Sequence, residues 1–297
     1  MNLINTLIAG VSIGAIYSLI AFALILVWRS TRVVNFAQAG QAAFSTYVGL
    51  SVENAIDNYW IALLVAIISG IVVGAFIEVV VVRFIVRRAT SAATATIGPV
   101  IAMLGLLGIF QGLMGLIWGG DYQAYPTAFS REGISVAGNQ IPFSRFDLFV
   151  LITVVVAMSI AALIFQRSSI GLAMRAAAFA PEVTRLSGIR VSRIRTLGWA
   201  FAGGAGGLAG VLVAPTTFIA PNSFDLLLVF GFTAAVIGGL DSLIGGVLGG
   251  LALGIGLSVV TGYLGGSFTF MTAFVLLIIV LLVKPQGILG ARGARRA

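Results

Sequence analysis

Residues 59–82 of the chain read YWIALLVAIISGIVVGAFIEVVVV, a largely apolar run whose one charged residue is Glu78. About 20 such residues in a helix cover the hydrocarbon core of a bilayer, which is roughly 30 Å thick. A run of this length predicts a helix that crosses a membrane.

Comparable runs recur along the whole chain, and we predict nine spans. The second span and the pair within 224–263 are rich in glycine or polar residues, so they are candidates for broken or re-entrant helices, and eight crossings remain possible. The predicted fold class is all-α, a polytopic transmembrane helical bundle forming a single domain over residues 1–297. The spans cover about 3–27, 33–52, 59–82, 95–118, 147–165, 197–213, 224–240, 245–263 and 267–283.

The composition supports the membrane assignment and excludes several kinds of site. Of 297 residues, 60% are hydrophobic and 9% are charged, against about 45–50% apolar and about 25% charged residues in soluble domains. The sequence contains no cysteine and no histidine. This excludes disulfides, thiol nucleophiles, Cys or His metal ligands and the commonest general base, so we expect neither a metal site nor an enzyme.

The net charge of +8 has a simpler explanation than nucleic-acid binding. With the N-terminus outside, the inward segments contain 15 of the 17 Lys and Arg residues, and the outward segments contain six of the nine acids. Basic residues collect on the cytoplasmic side of membrane proteins and contact anionic lipid there. We therefore predict a cytoplasmic C-terminus, lipid contacts and no nucleic-acid partner.

Two connections between spans are long. The outer one, residues 119–146, is rich in glycine and proline, which predicts turns or a short hairpin and no separate domain. The inner one, about residues 166–196, contains six arginines. Its residues 180–188 read APEVTRLSG, where Pro181 at the first helical position, Glu182 in the first turn and a stop at Gly188 predict a short helix.

The short helix of the inner connection presents an apolar ridge, Val183 and Leu186, between the charges of Glu182 and Arg185. Residues 171–178, GLAMRAAA, form a second favourable helical segment ahead of it. Such a ridge is suited to a groove on a cytoplasmic partner. The alternative is an interfacial helix anchored to lipid headgroups, and the pattern alone leaves both open.

The second span has a polar stripe, Asn35, Gln38, Gln41 and Ser45, whose spacing places all four on one helical face. Buried amides are costly without hydrogen bonds, so this face must meet protein or water. One hypothesis makes it a wall of a solute path. The other makes it a source of interhelical hydrogen bonds.

Small residues recur every four positions in two later spans, which favours close helix packing. An alternative is that helix breaks at Gly238-Gly239 and Gly265-Gly266 expose backbone groups to solute. The packing glycines are Gly203 with Gly207, Gly206 with Gly210, and Gly246, Gly250 and Gly254.

Glu78 is the one acid that the pattern places within a span. Such a carboxylate is a candidate for proton coupling. Its position about one turn from the inner end, near Arg83, favours a paired carboxylate at the membrane surface.

Several segments, in chain order, resemble permeases of the branched-chain amino acid (LivH-type) ABC importer family. The likeness covers nearly the whole chain, and it differs by Gln38 where the family commonly has histidine and by Phe179-Ala180 ahead of the loop proline. The similar segments are GAIYSLIA (14–21), VNFAQAG (34–40), Glu78 with Arg83, TIG (96–98) with Gln111 and Trp118-Gly119, GLAMRA (171–176), Pro181-Glu182, LSGI (186–189), Arg193 and the glycine-rich span from Phe201.

The resemblance implies a permease subunit of an importer for branched-chain amino acids or related small polar solutes in a prokaryotic plasma membrane. It also implies cytoplasmic ATP-binding subunits, a second, related (LivM-like) permease chain and an extracytoplasmic solute-binding protein, which the outer turn at residues 214–222 contacts. The implied ATPase-coupling residues are Gly171, Arg175, Pro181, Glu182, Arg185, Leu186 and Gly188.

The only lysine is Lys284, in the sequence VKPQ. A phosphate-binding Gly-x-x-x-x-Gly-Lys-Ser/Thr loop is therefore excluded, and ATP must bind to another chain, with no cofactor on this one. A stand-alone secondary transporter or channel is the alternative. It would need an ion site or an acid relay at mid-membrane, and the sequence offers neither.

Overall fold

The computed structural model describes residues 3–136 and 139–290, which contain eleven helices and one two-stranded hairpin. The predicted all-α class is confirmed. The inward Arg292, Arg295 and Arg296 lie outside the described residues. The helices are α1 (Leu3–Thr31), α2 (Gln38–Ile56), α3 (Tyr59–Arg88), α4 (Ala92–Trp118), α5 (Arg145–Arg167), α6 (Ser169–Phe179), α7 (Pro181–Leu186), α8 (Val191–Thr217), α9 (Asp225–Gly238), α10 (Leu243–Tyr263) and α11 (Ser267–Val283).

All nine predicted spans fall on helices. Six of these helices, α1, α3, α4, α5, α8 and α10, are long and apolar enough to cross a bilayer. The other three predicted spans fall on α2, which has 19 residues and a polar face, and on the shorter α9 and α11, with 14 and 17 residues. The total of eight or nine crossings therefore stays a prediction.

The long outer connection contains an antiparallel hairpin of β1 (Gly133–Val136) and β2 (Asn139–Ser144), so the predicted short hairpin is confirmed. The hairpin is tied to the start of α5, where the carboxylate of Asp147 accepts hydrogen bonds from Ser144 N at 2.8 Å and from Ser12 Oγ at 2.9 Å.

The described chain groups into two compact units, and the prediction of a single domain stays a prediction. The first comprises Met1–Ile25, Thr127–Val155 and Val229–Ala297. Its core joins α1, α9, α10 and α11 through side chains that include Ala21, Ala234, Leu253 and Ala273. Small residues let α1 and α10 approach closely, and Ser18 Oγ lies 2.8 Å from the carbonyl oxygen of Val247.

The second unit comprises Leu26–Pro126 and Val156–Leu228. In it α2 packs against α3, α4 and α8, and α3 packs along α8. An added Cβ on Gly203 would lie 2.0 Å from the carbonyl oxygen of Gly70, so these two backbones are in direct contact. A span with polar residues requires such enclosure by protein.

Candidate functional site

The first part of the inner connection, α6, is fixed to the end of α5. Ser168 caps α6 by accepting a hydrogen bond from Gly171 N at 3.1 Å. A Cβ on Gly171 would lie 2.3 Å from the carbonyl oxygen of Phe165, and the guanidinium of Arg175 donates to that same oxygen. Gly171 and Arg175 therefore hold α6 against the end of α5.

The second part, α7, has the boundaries that the sequence predicts. It begins at Pro181 with Glu182 in its first turn, and Gly188 follows it with a φ of +82°, a conformation that glycine adopts without strain. Thr184 is buried, and its Oγ1 donates to the carbonyl oxygen of Ala180 at 2.8 Å. This hydrogen bond lies within the first turn of α7 itself, so it is the burial of Thr184 that shows which side of the helix faces the protein.

The opposite side of α7 is exposed and combines apolar and charged residues. Val183 is 62% exposed and Leu186 is 89% exposed, and Glu182 and Arg185 are exposed beside them. We call these four residues the coupling face. Two apolar side chains on one short helix, framed by opposite charges, can anchor it in a groove of a partner protein.

The polar stripe of α2 lies inside the second unit. Asn35, Gln38, Gln41 and Ser45 are all buried. Asn35 Nδ2 donates to Gln38 Oε1 at 2.9 Å and to Gln41 Oε1 at 3.3 Å, and Ser45 Oγ donates to the carbonyl oxygen of Gln41 at 2.9 Å. The stripe is therefore one connected network.

The two glutamines also bridge α2 to its neighbouring helices. Gln41 Nε2 donates to the carbonyl oxygen of Gly70 in α3 at 3.1 Å, and Gln38 Nε2 donates to that of Ala202 in α8 at 3.2 Å. A Cβ on Gly203 would lie 2.3 Å from Gln41 Nε2. In this conformation the stripe makes interhelical hydrogen bonds, and its role as a wall of the solute path stays a hypothesis.

The predicted packing glycines lie at helix contacts. At each of the seven, an added Cβ would come within 2.5 Å of a neighbouring heavy atom, so a side chain there would force a neighbour to move. The partners are Gly70 O for Gly203, Ala66 O for Gly207, Gln38 Nε2 for Gly206, Thr46 Oγ1 for Gly210, Ile25 Cδ1 for Gly246, Ser18 N for Gly250 and Gly14 Cα for Gly254.

At both candidate helix breaks, backbone carbonyl groups are hydrogen-bonded within the chain. At the end of α9, Ile288 N donates to Ile237 O at 2.8 Å and Leu289 N donates to Gly238 O at 3.1 Å. The chain's own segment after α11 thus takes up these carbonyls, which counts against solute binding there. Gly265, with a φ of +99°, and Gly266 form the turn between α10 and α11. Their carbonyl oxygens accept hydrogen bonds from Phe268 N at 3.2 Å and Thr269 N at 3.1 Å, which counts against solute binding at this break as well.

Glu78 is a paired carboxylate in this structure. It is buried, and its Oε2 lies 2.5 Å from Arg83 Nη2 and accepts a hydrogen bond from Thr196 Oγ1 at 2.7 Å. Arg83 Nη2 also donates to the carbonyl oxygen of Ser192 at 3.2 Å. The cluster connects α3 to the start of α8, close to the inner connection.

Two polar partners were missed by reading the sequence. Thr196 is one, and Asp225 is the other, with carboxylate oxygens that accept hydrogen bonds from Gln111 Nε2 at 3.1 and 3.0 Å. Neither has a local signal, because 118 residues separate Glu78 from Thr196 and 114 separate Gln111 from Asp225.

The predicted outer turn at residues 214–222 starts later in the structure, because residues 214–217, including Pro215, form the end of α8. The connection that follows presents one exposed apolar side chain. Phe218 is 54% exposed and has a φ of +59°, an uncommon conformation for a bulky residue. Backbone hydrogen bonds of 2.9 and 2.8 Å between Gln123 and Ile219 hold the turn.

Tyr125, two residues after Gln123, has a raised pKa. Burial of its hydroxyl is the main cause, and the charges of Tyr59 and Glu53 raise the pKa further, so Tyr125 stays neutral at physiological pH.

The chain is similar to permease proteins over most of its length. It is 29% identical over 289 residues to the high-affinity branched-chain amino acid transport system permease protein LivH of Escherichia coli (strain K12), covering 95% of this chain and 93% of that protein. It is 28% identical over 284 residues to the probable branched-chain amino acid transport permease protein LivH of Methanocaldococcus jannaschii, with coverages of 92% and 88%. It is 28% identical over 297 residues to the corresponding BraD protein of Pseudomonas aeruginosa, with coverages of 97% and 95%.

The chain is also similar to a solved structure and matches a family model. PsaBC from Streptococcus pneumoniae in complex with Fab has a TM-score of 0.50 at 15% identity, covering 96% of this chain and 93% of that one, which shows a similar fold. Residues 6–283 match the family model described as branched-chain amino acid transport system / permease component. The chain therefore belongs to the family of permease components of branched-chain amino acid transport systems.

Proposed function

We propose that this chain is the membrane-spanning subunit of an ATP-driven (ABC) importer that carries branched-chain amino acids or related small polar solutes. The observation that carries the proposal is the coupling face, an exposed apolar and charged surface on a short helix. We assign this helix to the cytoplasm from the positive-inside rule. ATP is bound and hydrolysed by separate cytoplasmic subunits. This chain contributes the path and binds no cofactor of its own.

The coupling face is suited to transmit movement as well as to bind. Thr184 lies on the buried side of α7, and Arg175 and Gly171 attach α6 to α5. A force applied by a partner at Leu186 would therefore pass to α5 and α8 through short, fixed segments. A loosely tethered surface helix would move without moving the spans.

An ABC importer of this kind has further partners. A second permease chain, related to this one, completes the path. An extracytoplasmic solute-binding protein contacts the outer turn, where Phe218 is exposed beside the Gln123–Ile219 bridge. The C-terminus lies in the cytoplasm, in keeping with the positive-inside rule.

A stand-alone proton-coupled transporter is the alternative function. It would need a membrane carboxylate that gains and loses a proton during transport. Glu78 is instead held in a cluster that joins α3 to α8, paired with Arg83 and hydrogen-bonded by Thr196. This pairing favours the ATP-driven importer.

The test is Leu186→Asp in the complex reconstituted with its ATP-binding subunits. A charge on the apolar anchor should lower solute-stimulated ATP hydrolysis and uptake at least about tenfold, as expected for a central interface residue. The matched control is Leu264→Asp, because Leu264 is also exposed, at 65%, but lies in the outward turn after α10. Equal transport by the Leu186→Asp variant and the wild type would overturn the docking role.

A further inference from the structure

A cavity of about 360 Å³ lies within the second unit, next to α7. Four arginines line it, Arg83 and Arg87 from α3, Arg185 from α7 and Arg195 from α8, together with the single carboxylate of Glu78. Three positive charges in this lining are therefore left without a matching negative charge. Neither the coupling face nor the polar stripe accounts for this site.

Only one of the four arginines in the cavity lining is paired with a carboxylate. Glu78 is committed to Arg83, which in turn donates to Thr196 and Ser192. Within residues 3–136 and 139–290, Arg87, Arg185 and Arg195 form no ion pair. Converging guanidinium groups repel each other, most strongly where water is partly excluded. An anion between them would remove this repulsion.

The chemistry and the position of the cavity identify the anion. Guanidinium groups bind phosphate oxygens through paired hydrogen bonds. The lining comes from the inward ends of α3 and α8, at the level that headgroups occupy. Val86, in the cavity lining, is exposed, and α3 also exposes Val79 and Val80 about two turns before Arg87. These apolar side chains offer a surface on which an acyl chain can lie, and we call the three valines the apolar strip. A soluble phosphate compound would make no use of this strip.

We propose that the cavity binds the phosphate of an anionic phospholipid headgroup from the inner leaflet. The bound phosphate bridges Arg185 of α7 to Arg87 and Arg195 of α3 and α8. Because Arg185 belongs to the coupling face, the lipid would fix that face relative to the spans. The site is independent of which solute the protein carries.

Binding is measured by native mass spectrometry of the full chain, titrated in neutral detergent with phosphatidylglycerol, with zwitterionic phosphatidylcholine, and with inorganic phosphate. Phosphatidylglycerol should bind most tightly. The double variant Arg87→Gln/Arg195→Gln should weaken its binding about 25-fold, since each arginine near a membrane surface contributes about 1 kcal/mol, or about fivefold. Arg185 is left unchanged so that docking of α7 is not disturbed.

The matched control is Arg167→Gln/Arg193→Gln, which removes the same charge from two exposed arginines outside the cavity lining. It should change phosphatidylglycerol binding by less than about twofold. Equal loss in both double variants, or no preference for phosphatidylglycerol over phosphatidylcholine, would overturn the site. Inorganic phosphate binding as tightly as phosphatidylglycerol would overturn the lipid as its source. These outcomes do not depend on transport.

Discussion

Arg83 lies against Glu78, with 2.5 Å between Nη2 and Oε2, although five residues separate the two along α3. In an α-helix, positions i and i+5 point about 140° apart. Here Ile77–Val82 is a π-helical turn, and Arg83 N donates to the carbonyl oxygen of Glu78. The turn therefore brings the two side chains to the same side, and such turns are frequent at functional sites.

The first prediction concerns this pair. Glu78→Gln should lower the free energy of unfolding by about 2 kcal/mol, less than for a fully buried pair because the Arg83 side chain is 24% exposed. Thermal unfolding in detergent measures the loss. Glu182→Gln, at an exposed carboxylate, is the control and should have little effect. An unchanged melting temperature with complete loss of uptake would instead indicate a proton-coupling carboxylate.

The second prediction concerns the contact of α3 with α8. Gly203→Ala would place Cβ 2.0 Å from the carbonyl oxygen of Gly70, so the backbones must separate, at a cost of about 1–3 kcal/mol or a loss of folding. Gly112→Ala in α4 is the control, because no heavy atom lies within 4 Å of its added Cβ. A Gly203→Ala protein as stable as the Gly112→Ala protein would show that α8 does not pack as described.

The sequence predicts the elements of this fold better than their partners. Apolar runs locate every predicted span on a helix, and Pro181, Glu182 and Gly188 define α7 because capping signals are local. Helical periodicity places Gln38 and Gln41 on one face. It contains no information on which helix meets that face, so Ala202 and Gly70 could not be foreseen.

The cluster of Glu78, Arg83 and Thr196 likewise combines a contact that the sequence predicts with one that it does not. The pairing of Glu78 with Arg83 could be anticipated from proximity in sequence, but the π-helical turn that allows it has no recognised sequence signal. Thr196 joins the pair only through the packing of α3 on α8. The arginines of the cavity likewise come from three helices, and only their net charge is visible in the sequence.

The third prediction separates the two hypotheses for the polar stripe. The protein has no native cysteine, so Ser45→Cys and Ser51→Cys on α2 can each be labelled cleanly with a water-soluble maleimide. Ser45 is buried and Ser51 is exposed, so resting protein should be labelled only at residue 51. Labelling at residue 45 that begins only during turnover would show that the stripe opens to the solute path. Equal labelling of both residues at rest would contradict the packing.

The fourth prediction concerns the orientation of the chain. In intact cells, an impermeant thiol reagent should label Arg131→Cys in the outer connection but leave Arg185→Cys in α7 unlabelled until the membrane is opened. Because both residues are exposed arginines in connections between spans, each is the control for the other. External labelling at residue 185 would place the coupling face on the wrong side for a cytoplasmic partner.

The most direct test of an ATP-driven permease subunit is uptake of branched-chain amino acids into proteoliposomes that hold either this chain alone or this chain with its permease and ATP-binding partners. We expect uptake only from the complete complex, only with ATP, and increased by a solute-loaded binding protein. Uptake by the chain alone, driven by a proton or sodium gradient, would contradict the account.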